Sequence, residues 1–143
     1  MPVLDESSMI QNLVKAIDGE YNAIYCYEYL ANQAPNAEIK NRIMEIRSDE
    51  IRHYKMFWEL HQTLTGQEYQ PKVTQKCPNN YWKGVSEAFL DEQITTEFYL
   101  DAARKASNVL VRNAFDSAAR DEQNHAVWFL YFLTLLSISS IAK

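Results

Sequence analysis

Asp49-Glu50-Ile51-Arg52-His53 reads D-E-x-x-H, and Asp121-Glu122-Gln123-Asn124-His125 repeats that pattern 72 positions later. On an α-helix, residues three apart lie one above the other on a single face. Each Glu/His pair can therefore grip one cation from one helix. Glu20 precedes Glu50 by 30 residues, and Glu92 precedes Glu122 by the same 30. The chain thus contains two copies of one unit, a Glu followed by Glu-x-x-His.

The hydrophobic pattern supplies four helices to carry these residues. The first is expected over about 9–34, capped by Ser7 or Ser8 and stopped by Pro35. Leu13, Ile17, Ile24, Tyr27 and Ala31 form its apolar stripe, with Glu20 inside it. The second is expected over 37–65, from an Asn36 cap to a Gly66 stop, with Glu50 and His53 interrupting Ile39, Ile43, Ile46, Phe57, Leu60 and Leu64. The third, about 81–106, places Glu92 among Val85, Phe89, Thr96, Tyr99 and Ala103. The fourth, about 108–139, sets Glu122 and His125 between Phe115 and Phe129. A carboxylate in an apolar stripe is costly unless it is paired or bound to a metal.

Between the second and third helices, residues 66–80 lose helical periodicity and carry Gly66, Pro71, Pro78 and Asn79-Asn80. Fifteen residues exceed a tight antiparallel turn. Extended, they reach roughly 45–50 Å, and a helix of some 27 residues measures about 40 Å. A crossover along the whole bundle is therefore expected, giving an all-α four-helix bundle in a single domain, 1–143.

Three Gly and four Pro beside 47% hydrophobic residues suit such a helical domain. A net charge of −5 without a basic run argues against nucleic-acid binding. Cys26 and Cys77 form no C-x-x-C, and Cys26 reads as a small buried thiol in mid-helix. Residues 1–11 carry Asp5 and Glu6 and lack the build of a signal peptide, so a reducing cytoplasm is the expected location. The uncharged stretch 126–142 falls short of a membrane span and is diluted by Thr134 and three serines. Its Trp128, Tyr131 and Phe132 suit an interface, and a homodimer is expected.

One Glu-x-x-His alone is a weak signal, since a surface pair at helical spacing looks the same. With twelve Glu in 143 residues, a given His has Glu at −3 with a probability of roughly 0.08. Two of three histidines doing so, each with a further Glu 30 residues upstream, comes to about one in ten thousand by composition. His61 is the control, with Trp58 at −3, and reads as exposed near a helix end. A metal-free polar network would leave four carboxylates repelling one another. Two divalent cations neutralise them, and two imidazoles add nitrogen ligands.

The order E, E-x-x-H, E, E-x-x-H across four helices resembles the ferritin-like di-iron carboxylate proteins, nearest their rubrerythrin and bacterioferritin branches. The resemblance covers about 9–139 and implies a bundle with a two-metal site. Glu50 and Glu122 would bridge or chelate the metals, Glu20 with His53 would serve one ion, and Glu92 with His125 the other. Tyr27 and Tyr99 match positions whose hydroxyls hydrogen-bond the site carboxylates. Asp49 and Asp121 would orient the histidines. Glu97, five residues after Glu92, points off that face and is left out.

The resemblance further implies two iron ions, with manganese as the alternative, and oxidation of Fe(II) or reduction of hydrogen peroxide or dioxygen. Mixed carboxylate and imidazole ligands suit iron or manganese better than calcium or zinc. Ile51 stands where bacterioferritin-like chains place a haem-binding Met, so no haem is expected. Two cysteines cannot form a four-cysteine rubredoxin module, so an external electron donor is expected. No fifth helix is evident after Ser139, which speaks against a ferritin-type cage. Iron storage, in which oxidation serves deposition, and a non-catalytic assembly protein using the fourth helix are the alternatives.

Overall fold

The computed structural model describes residues 5–73 and 75–142. It contains four helices: α1 (Glu6–Asn32), α2 (Ala37–Thr65), α3 (Tyr81–Lys105) and α4 (Val109–Ala142). No strand occurs among the described residues. The architecture is the ferritin-like four-helix bundle with a long crossover between α2 and α3.

Local chemistry sets the helix ends. The α1 cap is Asp5, whose carboxylate accepts from the Ser8 amide at 2.8 Å. It lies earlier than the expected Ser7 or Ser8, both of which fall inside the helix. Asn36 accepts from the Ile39 amide, Asn80 from the Lys83 amide, and Asn108 from the Leu110 and Val111 amides. These caps satisfy amides that no helical carbonyl reaches. Gly66 ends α2 in the left-handed region at φ 72°, a conformation that costs little without a Cβ.

The helices pack as two hairpins, α1 with α2 and α3 with α4, joined face to face through lesser α1–α3 and α2–α4 contacts. The crossover climbs along α1. Asp18, midway along that helix, accepts from the Tyr69 hydroxyl at 3.0 Å and from the Lys72 amide at 2.9 Å. Higher up, the Gln33 side chain donates to the Pro78 carbonyl. At the top, a Cβ on Gly84 of α3 would lie 2.6 Å from Leu30 Cδ1 of α1. The start of α3 therefore abuts the end of α1, as a crossover spanning the bundle requires.

A disulfide links Cys26 of α1 to Cys77 of the crossover. This corrects the reading of Cys26 as a buried thiol. Cys26 lies on the side of α1 that faces the crossover, not the core, and its side chain is only half-buried.

The core falls into two clusters. One holds Leu13, Ile17, Phe57, Tyr99, Phe115 and Ala118. The other holds Tyr27, Leu30, Ile43, Ile46, Phe129 and Phe132. Between them lie Glu20, Glu50, His53, Glu92, Glu122 and His125, all buried. Among the described residues no helix is long and apolar enough to cross a membrane.

Candidate metal centre

Each helix brings its acidic residue to the same level because the ligands sit mid-helix, flanked by apolar residues on both sides. The exposures are 1% for Glu20, Glu50, Glu92 and His125, 2% for Glu122 and 0% for His53. Glu20, Glu50, His53 and Glu122 form one group of converging ligand atoms, and Glu50, Glu92, Glu122 and His125 form a second. Glu50 and Glu122 belong to both groups, so they stand between two positions.

One atom of each side chain lacks a hydrogen-bond partner: Glu20 Oε2, Glu50 Oε1, His53 Nδ1, Glu92 Oε2, Glu122 Oε1 and His125 Nδ1. Orphaned polar atoms in a dry interior are costly and rare. Here all six converge. His53 Nδ1 lies 3.5 Å from Glu20 Oε2, 3.3 Å from Glu50 Oε1 and 3.1 Å from Glu122 Oε1. His125 Nδ1 lies 3.4, 3.6 and 3.7 Å from the nearest oxygens of Glu50, Glu92 and Glu122. Ligand atoms about 2.1 Å from a shared cation stand about 3 to 3.5 Å apart. The donor set therefore fits a pair of cations, and four carboxylates balance two divalent charges.

The outward-facing atoms of Glu20, His53, Glu92 and His125 are tied down, and the ties cross between the two halves of the chain. Tyr27 donates to Glu92 Oε1 at 2.7 Å, and Tyr99 donates to Glu20 Oε1 at 2.5 Å. His53 Nε2 is 2.7 Å from Asp121 Oδ2, and His125 Nε2 is 2.8 Å from Asp49 Oδ2. A neutral imidazole that gives its Nε2 proton to aspartate keeps a lone pair on Nδ1, facing the centre. Arg52 then clasps both aspartates, with Nη2 3.0 Å from Asp49 Oδ1 and 3.0 Å from Asp121 Oδ2.

Without cations the cluster must hold protons instead. Burial pulls the histidines down, yet hydrogen bonds and charge from Glu20 and Glu50 lift His53 to about 10, and those from Glu50 and Glu92 lift His125 to about 11. Burial and the neighbouring Glu50 raise Glu20 to about 8. Burial and Glu50 also raise Glu92, and burial with the other three carboxylates raises Glu122 well above its ordinary range. Burial works against Glu50 as well, but hydrogen bonds with His125 and His53 outweigh it and take the group down to about 2. Burial holds both tyrosines well above their ordinary value, so they stay protonated donors.

A cavity of about 590 Å³ opens between α1 and α3 and reaches Glu20, Glu50, Glu92 and Glu122. Ala16, Gly19 and Ala23 on α1 and Ala88 on α3 line it, and these small residues leave room between the two helices. Cys26 and the crossover residues Gln75, Lys76 and Pro78 wall its upper side.

Glu97 is exposed and outside the centre. His61 is buried at 7% exposure, against the exposed position expected for it. Tyr69 of the crossover covers it, with ring centroids 5.5 Å apart. Sequence reasoning missed Arg52. Its signal was present as a cation three residues after Asp49, but only the packing of α2 on α4 brings Asp121 to the same guanidinium.

A model of the rubrerythrin family matches residues 11–132. The uncharacterized protein YhjR of Bacillus subtilis (strain 168) is 50% identical over 133 residues, 93% of this chain and 92% of that protein. A hypothetical protein from Pyrococcus furiosus has the same fold, with a TM-score of 0.77 at 18% identity over 95% of this chain and 96% of that one. A two-domain protein from Anabaena variabilis contains DJ-1/ThiJ/PfpI-like and ferritin-like domains. It matches with a TM-score of 0.75 at 12% identity over 94% of this chain and 38% of its own. These two structures speak for the fold alone. The family match runs through all six converging ligands, and the chain belongs to the rubrerythrin family.

Proposed function

We propose that this protein is a non-haem di-iron oxidoreductase that oxidises Fe(II) or reduces hydrogen peroxide or dioxygen, with manganese as the alternative metal. The observation that carries the reading is the convergence of six buried, otherwise unpartnered ligand atoms on two adjacent positions. Glu20 and His53 would hold one ion, Glu92 and His125 the other, and Glu50 with Glu122 both. Bound there, the ions would supply one-electron changes and Lewis acidity toward the oxidant.

The chain's own residues do the rest. Tyr27 and Tyr99 keep Glu92 and Glu20 turned inward, so that one oxygen of each faces the centre. Asp49 and Asp121 fix the imidazole tautomers, and Arg52 fixes the aspartates. The cavity between α1 and α3 admits a molecule as small as peroxide, while the two apolar clusters exclude bulk water above and below the centre. A cytoplasmic setting belongs to this reading. So does a homodimer covering Val127, Leu130, Tyr131 and Ile138, which α4 exposes.

Anaerobic loading with Fe(II), followed by peroxide or dioxygen in a stopped-flow instrument, tests the activity. The expected result is oxidation of two Fe(II) per chain, lost in Glu50→Ala. Continued uptake of many iron atoms per chain would replace this reading with storage. Bound iron inert to both oxidants would remove it.

A further inference from the structure

The Cys26–Cys77 disulfide takes no part in the centre described above, yet it borders the same cavity. Cys26 lines that cavity together with Glu20, Glu50, Glu92 and Glu122. The crossover residues on either side of Cys77, Lys76 and Pro78, line it too. Along α1, Cys26 stands six residues from Glu20, about 9 Å of helix rise. A second connection runs through bonds. Cys26 is joined by one peptide to Tyr27, whose hydroxyl donates to Glu92 Oε1 at 2.7 Å. One hydrogen bond therefore separates the covalent chain bearing the sulfur from a ligand atom's own carboxylate.

Reduction of peroxide to water takes two electrons, and a cysteine pair stores two. We propose that Cys26 and Cys77 form a redox-active dithiol that supplies the electrons for peroxide reduction at the centre. This inference rests on the di-metal reading given above. In the balanced step, the two Sγ–H groups lose two electrons and two protons and form the S–S bond. The peroxide O–O bond breaks, takes up those electrons and protons, and leaves as two waters. No net change would remain at the metal centre.

A small-molecule thiol outside the protein closes the cycle. Its thiolate attacks Cys77 Sγ, Cys26 leaves as thiolate, and a second thiol resolves the mixed disulfide. Cys77 is the half of the bond on the crossover, beside the exposed Lys76, whose charge favours an approaching thiolate. In a reducing compartment, the location proposed above, disulfides are chiefly catalytic or redox-sensing.

A purely structural staple is the competing role, since the bond closes a 51-residue separation and pins the crossover. The two roles separate in one experiment. The protein is reduced, loaded anaerobically with Fe(II), and its iron content and helicity are recorded. One equivalent of hydrogen peroxide is added, thiols are counted by alkylation and intact mass, and Fe(II) is counted with a chelating dye. The proposal expects one disulfide per chain with the iron still Fe(II), and disulfide formation at least tenfold slower in the iron-free chain. The Cys26→Ser/Cys77→Ser variant should instead finish with its iron oxidised.

Iron oxidised beside intact thiols in the wild type would overturn the dithiol role and leave the di-iron reading standing. Equal rates with and without iron would do the same, and so would a reduced chain that no longer folds or holds iron. A chain that binds no iron in either redox state would overturn both.

Discussion

His53 Nε2 lies 2.7 Å from Asp121 Oδ2, although the two residues belong to different copies of the repeat. Its counterpart, His125 with Asp49, spans the copies in the opposite sense at 2.8 Å. Each of the two helices that supply a histidine, α2 and α4, thus depends on the other for that histidine's orientation. Replacing Asp121 or Asp49 by Asn should leave the fold intact and weaken metal affinity by roughly 10–100-fold, the usual cost of losing such a partner. Competition against a metallochromic chelator measures it. Unchanged affinity in both variants would show that the aspartates are surface charges only.

The tyrosine ties carry a stability prediction. Tyr99→Phe leaves Glu20 Oε1 without its donor in a site 1% exposed. Unfolding of the metal-free protein in urea should show a loss of about 1–3 kcal/mol. Tyr27→Phe, which strips Glu92 of its donor, should behave alike, given the symmetry of the centre.

Proton content makes the metal-free and metal-loaded forms respond oppositely to pH. His53 rises from an ordinary 6.5 to about 10 in the fold. Its stabilisation is present below the unfolded value and lost as pH rises through the folded one. Glu20, raised from 4.5 to about 8, costs nothing at acidic pH and imposes its full penalty above the folded value, which acts in the same direction. Thermal unfolding of the metal-free chain should therefore occur at lower temperature at about pH 9 than at about pH 6. Metal affinity should climb across that window, because binding displaces those protons. A melting temperature that rises with pH in the metal-free chain would contradict the proton-filled cluster.

The end of α2 offers a check on the fold itself. Gly66 sits at φ 72°, where a Cβ is strained by roughly 1–2 kcal/mol. Gly66→Ala should lower stability by that amount, read from urea unfolding, and leave metal content untouched, since nothing crowds the position.

How much of this was legible beforehand follows from range. The four helices and all six converging side chains obey a local period, so Glu50 and His53 could be paired from spacing alone. The α2 limits at Asn36 and Gly66 were legible for the same reason. Features that need two distant elements were not. The disulfide joins Cys77, in a segment without periodicity, to a helix 51 residues earlier. His61 looked exposed because the residue that covers it, Tyr69, belongs to that same segment. Tyr27 and Tyr99 could be matched to carboxylates in general. That each serves the opposite copy emerges only from the packing of α1 against α3.

Metal content is the most direct test of the centre. The protein as purified, and again after anaerobic Fe(II) addition, should carry two metal ions per chain by elemental analysis. The Glu50→Ala/Glu122→Ala variant, lacking both shared carboxylates, should carry none while keeping its helicity. A wild-type chain that binds no metal under either condition would contradict the account, leaving six buried ligand atoms with no partner to explain them.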